Sequence, residues 1–211
     1  MRPYPPLRLF ILPLDKPNSR ATLTPMKSNV SIRYPLLPLL ITLPFTAMAT
    51  EHEITNVKTG YGTHGWHIEN DGVMGGVSSS TFIIHEDGYA VFSGDVSLDN
   101  NGGFASVQYG FEPIDVSRHT TLALRIKGDG KTYRLLVEDQ PNAWHYYEIE
   151  FPTSGDWETI HIPLADLVPV RRGDRLDRPN FPGQTLAQVR IMIANARPES
   201  FSLLLERVWL N

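Results

Sequence analysis

The chain reads as an all-β sandwich, and three features of the sequence point there. Apolar residues alternate in short runs, turn residues punctuate those runs every ~8–12 residues, and no stretch keeps a helical apolar period beyond a turn or two. Sixteen glycines and seventeen prolines are spread over 211 residues, which favours short strands and turns over long helices. The length suits one domain of the ~100–200-residue class. With 41% hydrophobic and 20% charged residues, the chain carries enough apolar side chain to offset its ordering entropy.

Three segments follow from the N-terminus. Residues 1–25 hold Pro3, Pro5, Pro6, Pro13 and Pro17 and suit neither a folded element nor a leader. They read as an extension upstream of a true start at Met26. Residues 26–49 read as a signal peptide, with Lys27 and Arg33, an apolar run from Pro35 to Phe45, and Ala47-Met48-Ala49 before the cut. The apolar run is shorter than the ~20 residues a spanning helix needs, so no stable membrane span is expected after cleavage. Residues 50–211 are then a single β-sandwich domain that is periplasmic or secreted. A mitochondrial transit peptide is the alternative, given Arg2, Arg8 and Arg20, although the prolines would break its amphipathic helix.

Within that domain the strands are read in order. Tyr89–Leu98 alternates, and Phe104–Tyr109 follows an Asn-Asn-Gly-Gly turn. Leu122, Leu124 and Ile126, then Gly128-Asp129-Gly130, then Tyr133, Leu135 and Val137 predict a hairpin with two paired arms. Tyr147, Ile149 and Phe151 form the next set, which turns Glu148 and Glu150 outward. Ile160 and Ile162 precede Pro163, Val189, Ile191 and Ile193 read as a buried strand, and Phe201–Leu210 is the last. The one helical candidate is the short stretch Leu164–Val168. Pro169–Gly183, rich in Arg, Asp, Pro and Gly, is expected to be a long surface loop.

Composition excludes several classes of function. There is no cysteine, hence no disulfide, thiolate metal site or cysteine nucleophile. Residues 50–211 hold 13 basic and 22 acidic residues, a net charge of −9, which argues against a nucleic-acid partner. The one dense basic cluster is Arg171, Arg172, Arg175 and Arg178, interrupted by Asp174 and Asp177.

Most motifs fall away on physical grounds. Gly60-Tyr61-Gly62-Thr63-His64-Gly65 matches the dinucleotide fingerprint, but neither the preceding strand nor the following helix is read there. Arg172-Gly173-Asp174 is a three-residue adhesion match of the kind chance supplies. The seven histidines show no metal-ligand spacing, Ser78-Ser79-Ser80 lacks a nucleophile elbow, and no cofactor is expected. The paired acids Glu138 with Asp139 and Glu148 with Glu150 admit a glycosidase reading. An ordinary solvated strand face is the simpler one, so the domain is read as non-catalytic.

Two segments go beyond generic sandwich chemistry: Trp66 with Asn70-Asp71-Gly72-Val73-Met74-Gly75-Gly76-Val77-Ser78, and Phe92-Ser93-Gly94 leading to Asn100-Asn101-Gly102-Gly103-Phe104-Ala105-Ser106-Val107. With Gly128–Tyr133, Phe151, Trp157, Ile162-Pro163-Leu164 and Phe201–Glu206, they make the chain resemble the complex I intermediate-associated protein 30 family. One departure is Gln108, where a basic residue is common in the family, which puts any anion contact at that position in doubt. The resemblance implies a galactose-binding-like jelly-roll β-sandwich and an assembly-factor role. Complex I assembly concerns the matrix side, equivalent to the bacterial cytoplasm, so an exported copy would hold a different partner.

The expected function is therefore an exported binding or assembly-factor-like module for a protein of the cell envelope. The alternative is a carbohydrate-binding module, with Trp144, Tyr146 and Tyr147 as stacking aromatics. The candidate contact rim is Trp66, Asn70, Asp71, Asn100 and Asn101, with Trp144 as a stacking platform. The glycine pairs 75–76 and 102–103 are expected to shape it through positive φ or close backbone approach.

Overall fold

The computed structural model describes residues 50–211; the expected extension and signal peptide, residues 1–49, lie outside the described residues. Among the described residues thirteen strands form two sheets. Strands β1 (His52–Asn56), β3 (Ser79–Ile84), β4 (Ala90–Val96), β6 (Thr121–Lys127), β9 (Trp157–Pro163) and β13 (Glu199–Leu210) make the six-stranded sheet. Its order is β3-β4-β13-β6-β9. One flank of β13 takes β4 along Glu199–Leu205 and β1 along Arg207–Leu210.

Strands β2 (Trp66–Ile68), β5 (Ala105–Asp115), β7 (Thr132–Glu138), β8 (Tyr146–Pro152), β10 (Val168–Arg171), β11 (Asp174–Arg175) and β12 (Thr185–Ile193) make the seven-stranded sheet. Its order is β11-β10-β8-β7-β12-β5-β2. All pairings are antiparallel. The architecture is the all-β sandwich that the alternation predicts, of the jelly-roll kind that the family resemblance implies.

The core lies between the sheets and follows from the period-two alternation. Leu122, Leu124 and Ile126 from one sheet meet Tyr133, Leu135, Val137 and Ile191 from the other, all fully buried. Through the middle Phe92 packs tilted on Phe201 with centroids 4.8 Å apart, Tyr133 meets Phe201 edge to face, and Tyr133 stacks on Phe151. On β13 the buried set shifts from Phe201, Leu203 and Leu205 to Val208 and Leu210. A bulge between Leu205 and Arg207 absorbs the odd residue and keeps both halves facing the core.

Three expectations are corrected. The arms around Gly128-Asp129-Gly130 do not pair: β6 lies between β13 and β9, whereas β7 lies between β12 and β8. The segment crosses from sheet to sheet, and Asp129 fixes the crossing by accepting from Lys131 Nζ at 2.6 Å, the Tyr133 hydroxyl at 3.0 Å and the Ser202 amide of β13 at 3.0 Å. Two apolar arms that face each other across a core have the same alternation as two arms side by side, so the local pattern could not separate these cases.

The stretch Pro169–Gly183 is not wholly a loop, because Val168–Arg171 pairs with β8 and turns back at Arg172-Gly173 into β11. Both turn residues have positive φ, 53° and 87°, the geometry of a two-residue hairpin turn. The remainder is tied down by buried Phe181, whose ring meets Tyr147 at 5.2 Å. Third, a strand does precede the Gly60–Gly65 match, namely β1, and it is followed by strand β2 rather than a helix. Leu164–Asp166 is a single 3-10 turn.

The crossover yields a test. A Cβ at Gly128 would lie 2.3 Å from Thr153 Oγ1 and 2.4 Å from Thr153 Cβ, and Thr153 Oγ1 itself donates to Lys131 O and accepts from the Gly130 amide. Gly128→Ala is expected to lower stability by about 2–3 kcal/mol, read as a lower thermal midpoint. An unchanged midpoint would contradict the crossing geometry.

Candidate functional site

Alternation on the seven-stranded sheet turns one residue in two away from the core. Because Val189, Ile191 and Ile193 of β12 point inward, Gln188, Arg190 and Met192 point outward. The same rule turns Arg134, Leu136 and Glu138 on β7, Tyr146, Glu148 and Glu150 on β8, and Ser106 and Gln108 on β5 to the outer face, where Leu136, Glu138, Ser106 and Gln108 are nevertheless buried by their neighbours. Strand register then sets these residues in rows across the sheet. One row runs His67, Gln108, Arg190, Leu136, Glu148, Val168, and the next runs Gly110, Gln188, Glu138, Tyr146, Val170.

Two cavities of about 690 and 800 Å³ open on this face and share Glu69, Tyr146 and Arg190. The larger is lined from Glu69 and Phe104 through Met192, Arg134 and Tyr146 to Val170 and Arg172. It therefore crosses the sheet from the end of β2 to β10.

Arg190 is the centre of the groove floor. It is 4% exposed, and its two terminal nitrogens reach Glu69 at 3.3 and 3.1 Å, the Tyr146 hydroxyl at 3.0 Å and the Gln108 carbonyl. Its guanidinium carbon lies 4.7 Å from the Tyr146 ring centroid. Gln108 donates to Glu69 at 3.1 Å and contacts His67. Gln108, the departure from the family pattern, is thus a bridge between β2 and β12, and the cation facing Glu69 comes from Arg190. Burial raises the Glu138 carboxyl above the ordinary range, against the lowering effect of a Tyr146 hydrogen bond and the Arg190 charge. Glu148 is also raised, by burial first, although Arg134 pulls it down from 3.2 Å. Glu150 takes the other end of Arg134 at 2.9 Å.

The residues expected to form a rim separate into distinct places. Asp71 is fully buried and points inward. Its carboxylate accepts from the Ser78 amide at 3.0 Å, the Ser78 hydroxyl, the Gly103 amide at 2.7 Å and the Phe104 amide at 3.3 Å. Added Cβ atoms at Gly76 and Gly102 would lie 2.4 and 2.6 Å from that carboxyl, so one glycine of each pair is required by close approach. The partners Gly75 and Gly103 carry φ of 95° and 146°. Asn70 joins the same knot, its Oδ1 accepting from the Ser80 hydroxyl and the Ser106 amide.

Asn100 and Asn101 sit in left-handed conformation at φ 55° and 60°, and Asn101 lines the larger cavity. Trp66 is half-buried between Phe82 and Tyr109, at 5.0 and 5.3 Å, and donates to Gly62 O. Trp144 is 49% exposed and lies beside Arg171 and Arg178, beyond the groove lining. Tyr147 is corrected as a stacking aromatic, for its ring is in the core. Arg190 and Glu69 were not singled out from the sequence, and Glu138 was noted there only as one of a pair of acids with Asp139. The signal was present in Val189-Arg190-Ile191-Met192-Ile193, where a single charge breaks an apolar run. Among the described residues no three His, Cys, Asp or Glu side chains gather to hold a metal, and no helix is long and apolar enough to cross a membrane.

The model of the family described as Complex I intermediate-associated protein 30 (CIA30) matches residues 55–205. The chain belongs to the CIA30 family. No curated protein matches the chain. Among solved structures, this CIA30 domain is similar to a family 11 carbohydrate-binding module from Clostridium thermocellum in complex with a β-1,3-1,4-mixed-linked tetrasaccharide. The identity is 17%, the TM-score 0.54, and the match covers 76% of this chain and 94% of that one. A second structure, the family 11 module of the C. thermocellum cellulosomal cellulase Lic26A-Cel5E, gives 17% identity and a TM-score of 0.55 over 78% and 95%. At that identity the likeness shows a shared fold.

The Asp71 knot carries the next test. Burial alone would raise this carboxyl, but the hydrogen bonds from Ser78, Gly103 and Phe104 outweigh it and hold it below the ordinary range. A carboxyl lowered on folding contributes stability that is full above its unfolded value and is lost as pH falls through the folded one. Asp71→Asn is expected to cost roughly 3 kcal/mol at neutral pH, because several buried donors lose their acceptor. The gap between the two proteins, followed by urea unfolding, should narrow below pH ~4. A gap that stays constant with pH would contradict an ionised Asp71.

Proposed function

We propose that this CIA30-family domain is a non-catalytic binding module that takes an extended glycan along the groove of the seven-stranded sheet. The observation that carries the reading is the cavity lined by six of the seven strands or their ends, from Glu69 to Arg172. Five inter-strand steps of ~4.8 Å give a length of roughly 24 Å, enough for several sugar residues in line. Its floor presents carboxylates and a tyrosine hydroxyl, and its wall the Asn101 carboxamide, donors and acceptors of the kind that recognise sugar hydroxyls. The fold it shares with a module held in complex with a mixed-linked tetrasaccharide supports the same reading.

Binding without turnover is favoured because Glu69 and Glu148 are ion-paired across the floor with Arg190 and Arg134. Both carboxylates are already engaged by the guanidinium groups. In this proposal the domain works outside the cytoplasm, periplasmic or secreted, on the strength of the leader pattern ending at Ala49. An assembly-type role on an envelope protein is the second reading. It is favoured by Val73, Met74 and Leu98, which are exposed by 70, 61 and 41% at one wall of the groove.

Affinity electrophoresis through a panel of soluble linear polysaccharides separates the two. The glycan reading expects retardation by at least one polymer, no release of reducing ends on long incubation, and at least a tenfold loss of affinity in Tyr146→Ala. Circular dichroism should show that variant folded. Free migration across the whole panel, together with wild-type capture of an envelope protein that Met74→Glu abolishes, would replace the glycan by a protein partner.

A further inference from the structure

The cations of the groove floor are all met. Arg190 pairs with Glu69 at 3.1 Å, and Arg134 with Glu148 and Glu150 at 3.2 and 2.9 Å. At the β10–β11 end the balance changes. Arg171, Arg172, Arg175 and Arg178 fall within eight residues and all are exposed. Among the described residues none of the four has a carboxylate within 4.0 Å, Asp174 and Asp177 included. They are four of the thirteen basic residues in a segment of net charge −9, so the concentration is local and runs against the charge of the whole.

Geometry carries one member of this cluster, Arg172, to the groove, while Arg171, Arg175 and Arg178 lie just outside its lining. The two-residue turn at Arg172-Gly173 brings both residues to the wall of the larger cavity. Behind it, the indole of Trp144 has the guanidinium carbons of Arg171 and Arg178 at 5.4 and 5.3 Å from its ring. A guanidinium resting on an aromatic ring keeps its N–H edge free while its stem is held in place. That edge matches a carboxylate with two parallel hydrogen bonds.

We propose that the β10–β11 end of the groove binds the carboxylate of a uronic acid residue, so that the extended ligand is an acidic glycan. This rests on the glycan reading above and names its chemical class. A neutral chain would leave these guanidinium groups without a task. An acidic polypeptide fits less well, because the groove floor is made of side chains on paired strands. Their backbone groups are already used in the ladders, and the free edge at this end, β11, is only two residues long, too short to hold a peptide by strand addition.

The test uses residues 50–211 as a purified domain and two linear oligomers of equal length, a polyuronate and its carboxyl-reduced counterpart. Titration calorimetry is done in sodium chloride without divalent cations. The polyuronate is expected to bind about tenfold or more tightly than the reduced chain, and the advantage should shrink as salt is raised. Combined Arg171→Gln, Arg172→Gln and Arg178→Gln should bring the two chains to equal affinity without altering the thermal midpoint. Equal affinity in the wild type would overturn this proposal and leave the glycan reading standing. Binding of neither chain would also overturn it, while the polysaccharide panel and Tyr146→Ala judge the groove by themselves. Polyglutamate of matched length binding as tightly as the polyuronate would show a general anion surface and overturn the assignment as well.

Discussion

The buried carboxylate of Asp71 is the constraint on which the groove depends. A charged group withdrawn from water is tolerated only where hydrogen bonds replace its hydration, and here four donors from three neighbouring positions do so. Those donors belong to two stretches far apart in sequence, one after β2 and one before β5. Their convergence on one carboxyl joins the loop of residues 70–78 to that of residues 98–104. The Ser78 hydroxyl extends the knot by accepting from the Ser97 amide at 2.9 Å. Val73, Met74, Leu98 and Asn101 are carried on these loops, so the wall of the larger cavity is positioned from below.

The groove floor obeys the same rule in its electrostatics. Arg190 lies almost wholly out of water, and its charge is tolerable because Glu69 and the Tyr146 ring sit against it. Removing water from such a pair strengthens the attraction, but it also makes any unmet charge expensive. A floor whose charges are paired through the two terminal nitrogens of Arg190 is held in one arrangement, although Arg190 Nε, also buried, has no partner among the described residues. The arginines at the β10–β11 end differ in kind: they are solvated and, among the described residues, have no carboxylate partner.

Much of the sandwich was legible in the sequence, and for a physical reason. Strand alternation is a local property, so Leu122–Ile126, Tyr133–Val137 and Val189–Ile193 declare their inner faces without reference to partners. Glycine pairs likewise announce places where backbone must approach closely, and Gly76 and Gly102 both turned out to abut Asp71. The pairing of β6 with β13 rather than β7 was not legible, because a crossover and a hairpin carry identical local patterns. The β10–β11 hairpin was hidden in a stretch whose arginines and prolines resemble an irregular loop.

The sequence by itself determined the class of fold, the family and the inward residues of most strands, since each follows from short-range periodicity or from motifs in order along the chain. Only the tertiary structure decided that Asp71 faces inward as a structural knot, that Glu69 meets Arg190 from a strand 121 residues away, and that Arg172 reaches the same groove. Those placements depend on which strands become neighbours, a choice made by the packing of two complete sheets around one core, and no local stretch of chain contains it.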